Sequence, residues 1–400
     1  MILNKNNKMK QFEKAFYKKI SFDKDIFESK NILLNKILDQ NILVIGGAGT
    51  IGISYIKQIL KYKPSRITVV DINENGLTEL TRDLRSSNLL DYNPEYITYP
   101  VNLLSDTFDK IFNSDNWQVV ANFSAHKHVR SEKDKISVEA LIKNNVFGAI
   151  KLLKLCEINP PKHFFSVSTD KAANPVNIMG ASKSLMEKLI LSKKHQFRVS
   201  TARFANVAFS NGSLLAGFIY RLNKKQPLSC PSDIKRFFVT PEQSGQICLL
   251  ATFLGDTGNI FFPKLDFHRD QIYFKEIALD FLKENGFEPE LVLSEQEAKE
   301  FNFDINSKKY PIYFFKTDTS GEKTYEEFFT EEEDYEINEF ESLGYINTSE
   351  VKISFKEVIA DFESVFTNPD SNKSDIVRVI NKYVPDFAHI ETGKHLDQKM

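Results

Sequence analysis

Cysteine is scarce in this chain. Three occur in 400 residues, Cys156, Cys230 and Cys248, too widely spaced for a disulfide framework or a zinc cluster. They read as small core residues of a reducing compartment. His126 and His128 stand two apart with no cysteine or carboxylate at ligand spacing, so no metal site is expected. Long apolar runs are missing too: the longest, Ile247–Leu254, covers eight residues, where a membrane-spanning helix needs about 20. No excess of charge exists either, since 52 basic and 54 acidic side chains leave −2. That balance gives no general electrostatic argument for nucleic acid or an anionic membrane. The opening, MILNKNNKMKQFEKAF, is polar and charged where a signal peptide needs an apolar stretch, so a soluble, cytoplasmic protein is expected. No internal repeat is found.

What is present is an ordinary globular composition, 42% apolar and 26% charged, in a length that suits two or three domains. Residues 1–40 are lysine-rich and place Phe12, Phe16 and Ile20 on one helical face, which predicts an N-terminal helical extension. From Asn41, short apolar runs (NILVIG, RITVVD, YITYPV, WQVVANF, HFFSVS, RVSTARF) alternate with helical segments. Strands alternating with helices predict an α/β fold, a Rossmann-type doubly wound parallel sheet spanning 41–207. After Asn206 the alternation ends and Pro227, Pro231, Pro241 and Pro263 punctuate mixed elements. A smaller C-terminal α/β substrate-binding domain is expected over 208–236 and 263–370, with 237–262 returning to the first domain and 371–400 forming a helix and tail. Tyr325–Glu341 carries nine acidic residues and no basic one, and reads as a solvated face.

Gly46, Gly49 and Gly52 make a GxxGxxG pattern between the first strand and its helix, with Thr50 and Ile51 inside it. Glycines there permit a tight turn, approach of backbone N–H groups to a pyrophosphate, and close helix-to-strand packing. Asp71 ends the next strand, 19 residues beyond Gly52, where a carboxylate accepts hydrogen bonds from a ribose and repels a 2′-phosphate. NAD is therefore the expected cofactor rather than NADP. Asn102 and Leu103 after the third strand, and Ser124 after the fourth, complete the expected cofactor set.

The fifth strand ends in Ser168-Thr169-Asp170-Lys171, and Lys183 follows 14 residues after Thr169. GGAGTIG, STDKAANPVNIMGASK, RFANVAFSNGS and KRFFVT together resemble extended short-chain dehydrogenase/reductases, specifically the CapD-like UDP-N-acetylglucosamine 4,6-dehydratases of polysaccharide biosynthesis. The likeness runs from about Asn41 to Thr240, with an echo of the family's GEK motif at Gly321-Glu322-Lys323. It implies catalytic roles for Thr169, Asp170, Lys171 and Lys183, with Lys183 also holding the nicotinamide ribose. The superfamily's tyrosine position is Met179, whose thioether has no proton to exchange. Either activity is lost, or the chain belongs to the branch with Met there, which retains configuration at C5; MGASK with an intact Thr-Asp-Lys favours the branch. Lys171, its pKa depressed by burial and by Lys183, would remove the C5 proton while protonated Asp170 assists loss of the 6-hydroxyl. The residues leave the O4 proton acceptor open, with Thr169 as a relay before Lys183 or water.

On the substrate side, Asn122–Val129 resembles the family's HAAAxKHV segment, which implies contact between Lys127 and the sugar or its N-acetyl group. Asn145 matches the superfamily's active-site asparagine. Arg236 is the choice for the diphosphate, because guanidinium binds phosphate oxygens bidentately, with Asn206 and Lys323 as further donors. The expected substrate is UDP-N-acetylglucosamine. A same-superfamily epimerase and a catalytically silent NAD-binding scaffold remain as alternatives. A homo-oligomer is expected, paired through two long helices at about 131–156 and 178–195.

Overall fold

The computed structural model describes residues 20–302 and 307–394. Phe12, Phe16 and the polar residues from 395 onward lie outside the described residues; Ile20 is buried. Two short helices, α1 (Asp23–Glu28) and α2 (Lys30–Ile37), lead in and bury Leu33 and Ile37 in the core. Short runs rich in Val, Ile and Phe then form six parallel strands: β1 (Asn41–Ile45), β2 (Arg66–Asp71), β3 (Glu95–Pro100), β4 (Val119–Asn122), β5 (His163–Val167) and β6 (Arg198–Ala202). All but β3 are buried on both faces, which is why they read as continuous apolar runs rather than alternating ones. Between them run α3 (Thr50–Leu60), α4 (Glu74–Ser86), α5 (Asp106–Phe112), α6 (Lys135–Ile142), α7 (Gly148–Ile158) and α8 (Ile178–Leu191). One π-helical turn, Lys143–Phe147, joins α6 to α7.

Beyond β6 the chain makes two short ladders, β7 (Asn206–Val207) with β10 (Phe238–Val239) and β9 (Lys235–Arg236) with β12 (Ile272–Tyr273). A small parallel sheet places β14 (Lys309–Phe315) between β8 (Leu228–Pro231) and β13 (Glu288–Val292). Helices α9 (Leu214–Asn223) and α11 (Phe274–Glu284) cover it through Phe218, Phe281 and Leu282. By contrast, α10 (Pro241–Phe253) packs on α3 and leads into β11 (Asn259–Pro263), which pairs with β6. After the short α12 (Glu295–Glu300), residues 335–347 also join the main sheet rather than the smaller unit: β15 (Tyr335–Glu336) and β16 (Leu343–Asn347) are its antiparallel edge. The nine strands run β15-β16-β11-β6-β5-β4-β1-β2-β3, so winding reverses between β1 and β4. A ligand crevice opens at that point, beyond the carboxyl ends of the strands.

The helical face expected to meet a sister subunit is partly covered within the chain. α13 (Phe355–Phe366) and α14 (Lys373–Tyr383) lie against it, with Phe362, Ile376 and Ile380 joining the core of Leu141, Val146 and Leu185. Phe147 meets Phe362 and Phe366 at ring-centroid distances of 6.3 and 6.2 Å. Part of the expected pairing surface is thereby covered, while Ile136 and Ala140 of α6 stay exposed. After α14 the chain is more than a tail: the N–H groups of Ala388 and Ile390 donate to the carbonyls of Pro175 and Val176, both at 3.0 Å, and Gly321 N–H donates to the Ile390 carbonyl at 3.0 Å.

Just past β6, the buried Arg203 satisfies every donor of its guanidinium. Nε and Nη2 reach Glu187 of α8 at 3.1 and 2.8 Å, Nη1 and Nη2 reach Glu333 at 2.8 Å each, and Nη1 also reaches the Phe328 carbonyl at 3.0 Å. Most of the acidic stretch Tyr325–Glu341 is solvated, as its composition suggests, with Glu331, Glu332, Asp334, Glu339 and Glu341 exposed, but buried cations draw Glu326 and Glu333 inward. Arg203→Met leaves two carboxylates unpaired and is expected to cost about 3–5 kcal/mol in chemical denaturation. Arg203→Lys, a point charge without the fork, should recover only part. A loss below about 1 kcal/mol in Arg203→Met would show that the network is not structural.

Candidate active site

The turn after β1 is built for close approach. Gly46 has φ +73°, and a Cβ there would lie 2.5 Å from the Ser124 backbone nitrogen. Gly49 is the N-cap of α3 with no side-chain cap, and the nearest atom to a Cβ at that position is 3.4 Å away. Asp71 Oδ2 accepts from Ala48 N–H at 2.9 Å and Oδ1 from Asn73 N–H at 2.9 Å, which fixes the carboxylate beside the loop. An uncapped helix start with a glycine wall and a carboxylate at its rim fits a dinucleotide, with the pyrophosphate on α3 and the ribose at Asp71. Thr50 Oγ1 accepts from Asn211 N–H at 3.1 Å, and Ile51 is half-buried. Asn102 Oδ1 accepts from Leu104 N–H at 2.8 Å, Leu103 is buried against α7, and Ser124 N–H donates to Asn122 Oδ1 at 3.1 Å.

Thr169 follows β5 and caps the short turn Asp170–Ala172. Its hydroxyl donates to Asp170 Oδ1 at 2.9 Å and accepts from Lys171 N–H at 3.4 Å. Asp170 is 1% exposed, and Lys171 Nζ lies 3.0 Å from its Oδ1 and 3.6 Å from Glu326 Oε1. Arg236 Nη2 lies 3.6 Å from the same Glu326 oxygen and 3.1 Å from Glu322 Oε2. The start of α8 can sit against this turn only because residue 180 is glycine: a Cβ there would be 2.3 Å from the Lys171 carbonyl oxygen. Asn177 caps α8 through Gly180 N–H at 2.7 Å and donates to the Gly321 carbonyl at 2.8 Å. Met179, 3% exposed, fills the first turn.

Two buried lysines shift in opposite directions. Burial pulls Lys171 down, but Asp170 and Glu326 outweigh it and the net shift is upward. This corrects the expectation of a depressed Lys171: the residue gains two anionic neighbours, and Lys183 is not among the groups acting on it. Lys183 is lowered to about 8 by burial, opposed only by Glu187, and its Nζ lies 3.4 Å from Met186 Sδ.

Of the expected substrate residues, Arg236 and Lys323 join Asp170 and Lys171 around Glu326, Lys323 through its charge. Arg236 arrives buried and paired with carboxylates rather than open. Lys127 belongs to a second group, donating to the Asn211 carbonyl at 2.9 Å, and burial lowers its pKa. Asn145 spends its amide on the backbone of His126 (2.8 and 3.0 Å) and on Ser182 Oγ (3.0 Å), tying that segment to α8. Asn206 lies in β7 opposite Phe238. Sequence reasoning missed Glu326 and Glu132. The first was hidden in an acidic run, although it stands three residues after Lys323; the second had no sequence signal beyond its place after the Lys127 segment. Among the described residues no cluster of His, Cys, Asp and Glu suits a metal ion, and no helix is long and apolar enough to cross a membrane.

Comparison with known proteins matches residues 42–348 to the family described as polysaccharide biosynthesis protein. An uncharacterized membrane protein of Methanocaldococcus jannaschii is 31% identical over 76% of this chain and 85% of its own. A UDP-N-acetylglucosamine 4,6-dehydratase (inverting) of Campylobacter jejuni is 30% identical over 56% of this chain and 67% of its own. The match to the capsular polysaccharide biosynthesis protein CapD of Staphylococcus aureus, at 24% identity over 58% of this chain, spans only 39% of that protein. Among solved structures, Pen from Bacillus thuringiensis aligns over 87% of this chain and 98% of that one, with a TM-score of 0.65 and 22% identity.

Glu132 accepts from Ile178 and Met179 N–H at 3.0 and 2.8 Å, and burial, opposed by those two bonds and by Lys373, pushes its pKa up to about 7. A carboxyl whose folded pKa exceeds its unfolded one stabilises below the unfolded value and loses that contribution as pH rises through the folded one. Relative to Glu132→Gln, the wild type is expected to lose up to about 3 kcal/mol between pH 4.5 and pH 8 in chemical denaturation. A pH-independent difference would contradict this.

Proposed function

Because this chain belongs to the polysaccharide biosynthesis protein family, we propose that it is an NAD-dependent nucleotide-sugar 4,6-dehydratase. It takes UDP-N-acetylglucosamine to the UDP-4-keto-6-deoxy-N-acetylhexosamine, with configuration at C5 retained. The observation that carries this reading is the buried Asp170–Lys171 pair, hydrogen-bonded at 3.0 Å at the carboxyl end of a central parallel strand. A simple dehydrogenase or 4-epimerase needs no acid–base set beyond the one at O4, whereas elimination of water across C5 and C6 does. The printed name of the Campylobacter relative supports the dehydratase class, although that relative is an inverting enzyme and lends nothing to retention at C5.

Gly46, Gly49, the first turn of α3 and Asp71 would hold NAD, which supplies hydride acceptance at C4 and hydride return at C6. A ketone at C4 acidifies the C5 proton. At rest Lys171 is an ammonium and Asp170 a carboxylate; moving one proton across their hydrogen bond gives an amine and an acid. The amine takes the C5 proton and the acid protonates the leaving 6-hydroxyl; once hydride is returned to C6 the Lys171 ammonium gives a proton back to C5, and the proton released from O4 resets the ionic pair. Thr169, hydrogen-bonded to Asp170, would relay the O4 proton, with the low-pKa Lys183 or water as its acceptor. Met179 shapes the pocket and exchanges no proton. Its thioether also supports a second reading, a silent NAD-binding scaffold.

NMR of UDP-N-acetylglucosamine incubated with the protein in D2O should show a C6 methyl group beside a C4 ketone or its hydrate, with deuterium at C5. A C4 epimer or unchanged sugar would reject the proposal. Asp170→Asn and Lys171→Ala should each lower turnover about 10²-fold or more; near-normal rates would remove the pair from the chemistry.

Met179→Leu, which conserves volume and apolarity, should keep most activity, and Met179→Tyr should give no gain. Thr169→Val, which deletes the hydroxyl and keeps the shape, should be strongly impaired. A faster Met179→Tyr enzyme with a nearly normal Thr169→Val would mark a decayed tyrosine-dependent site.

A further inference from the structure

One carboxylate at the centre of the site has no part in that scheme. Glu326 is 2% exposed, and its Oε1 lies 3.6 Å from both Lys171 Nζ and Arg236 Nη2. Asp170, Lys171, Glu326, Arg236 and Glu322 thus form a row of alternating formal sign, in which burial pushes the Glu326 carboxyl up against the opposing pull of Lys171, Arg236 and Lys323. Two oxygens in the row, Asp170 Oδ2 and Glu326 Oε2, are buried without a hydrogen-bond partner. Packing an apolar residue at position 326 would avoid burying a half-satisfied carboxylate, so fold stability alone does not account for Glu326. What the carboxylate does achieve is specific: Lys171 Nζ has one carboxylate oxygen at 3.0 Å and a second at 3.6 Å, and the second is shared with Arg236.

We propose that Glu326 is a positioning residue for the acid–base pair, holding the Lys171 amino group against Asp170 and coupling both to Arg236. Its catalytic meaning rests on the dehydratase reading; the clamp itself is measurable without turnover. In Glu326→Gln, Lys171 keeps only Asp170 as an anionic neighbour and faces Arg236 without the intervening charge, so it releases its proton more readily.

Competitive acetylation with acetic anhydride, read at each lysine by peptide mass spectrometry from about pH 7 to 11, tests this. Scaling each lysine to its own high-pH plateau removes differences in access. At pH 8 the scaled labelling of Lys171 in Glu326→Gln is expected to rise about tenfold or more over wild type, the scale of removing one close opposite charge. Lys151, paired with Asp109 elsewhere, should not change. Glu326→Asp keeps the charge but withdraws it by one methylene; it should move Lys171 the same way by less, and it carries the test if the Gln variant does not fold. Unchanged Lys171 labelling in the folded variants overturns the proposal. A labelling shift in protein that forms no 6-deoxy product would reject the dehydratase reading and leave the clamp standing, while product without a shift would do the reverse.

Discussion

Arg203 sets the frame on which the site is assembled. A guanidinium presents five N–H donors in a rigid plane, and here one edge of that plane grips Glu187 on α8 while another grips Glu333 and the Phe328 carbonyl. The helix carrying Met179 and Lys183 and the segment carrying Glu326 are thereby registered against the end of β6. An acidic stretch this dense would by itself stay in water. Two of its carboxylates turn inward, each where a buried cation waits: Glu333 at Arg203 and Glu326 at Lys171 and Arg236.

The same economy of charge separates the two buried lysines. Both lose hydration, but Lys171 is given close anions and stays charged, whereas Lys183 has a more distant Glu187 and a sulfur neighbour and sits near neutrality. Opposite shifts thus separate two groups of identical chemistry, one held in an ion pair and the other binding its proton less tightly. The start of α8 is held with matching care, by Asn177 from within and by Glu132 from the loop opposite, and the missing Cβ of residue 180 lets it reach the Asp170 turn.

Much of this was legible in the chain. Parallel strands buried on both faces announce themselves as apolar runs, and Gly46, Gly49, Asp71, Thr169, Asp170 and Lys171 fall at strand ends, where the sequence pattern puts them. What escaped depends on partners distant in sequence. The direction of the Lys171 shift is decided by Glu326, on a segment whose composition pointed to solvent. The apolar stripe of α13 shows that the helix packs but not that it packs on α6–α8, where a second subunit was expected. Residues 335–347 follow a stretch of mixed elements, and nothing local says which sheet they join.

The backbone bonds from Ala388 and Ile390 to the loop before Asn177, and from Gly321 to Ile390, have a temporal side. Every strand of the large sheet is synthesised before residues 388–394, so a chain still on the ribosome can assemble the nucleotide-binding half while the loop ahead of α8 lacks its last wall. Completion of the loop ahead of α8 thus follows synthesis of this last segment, after the helices α13 and α14 that close the core beside it.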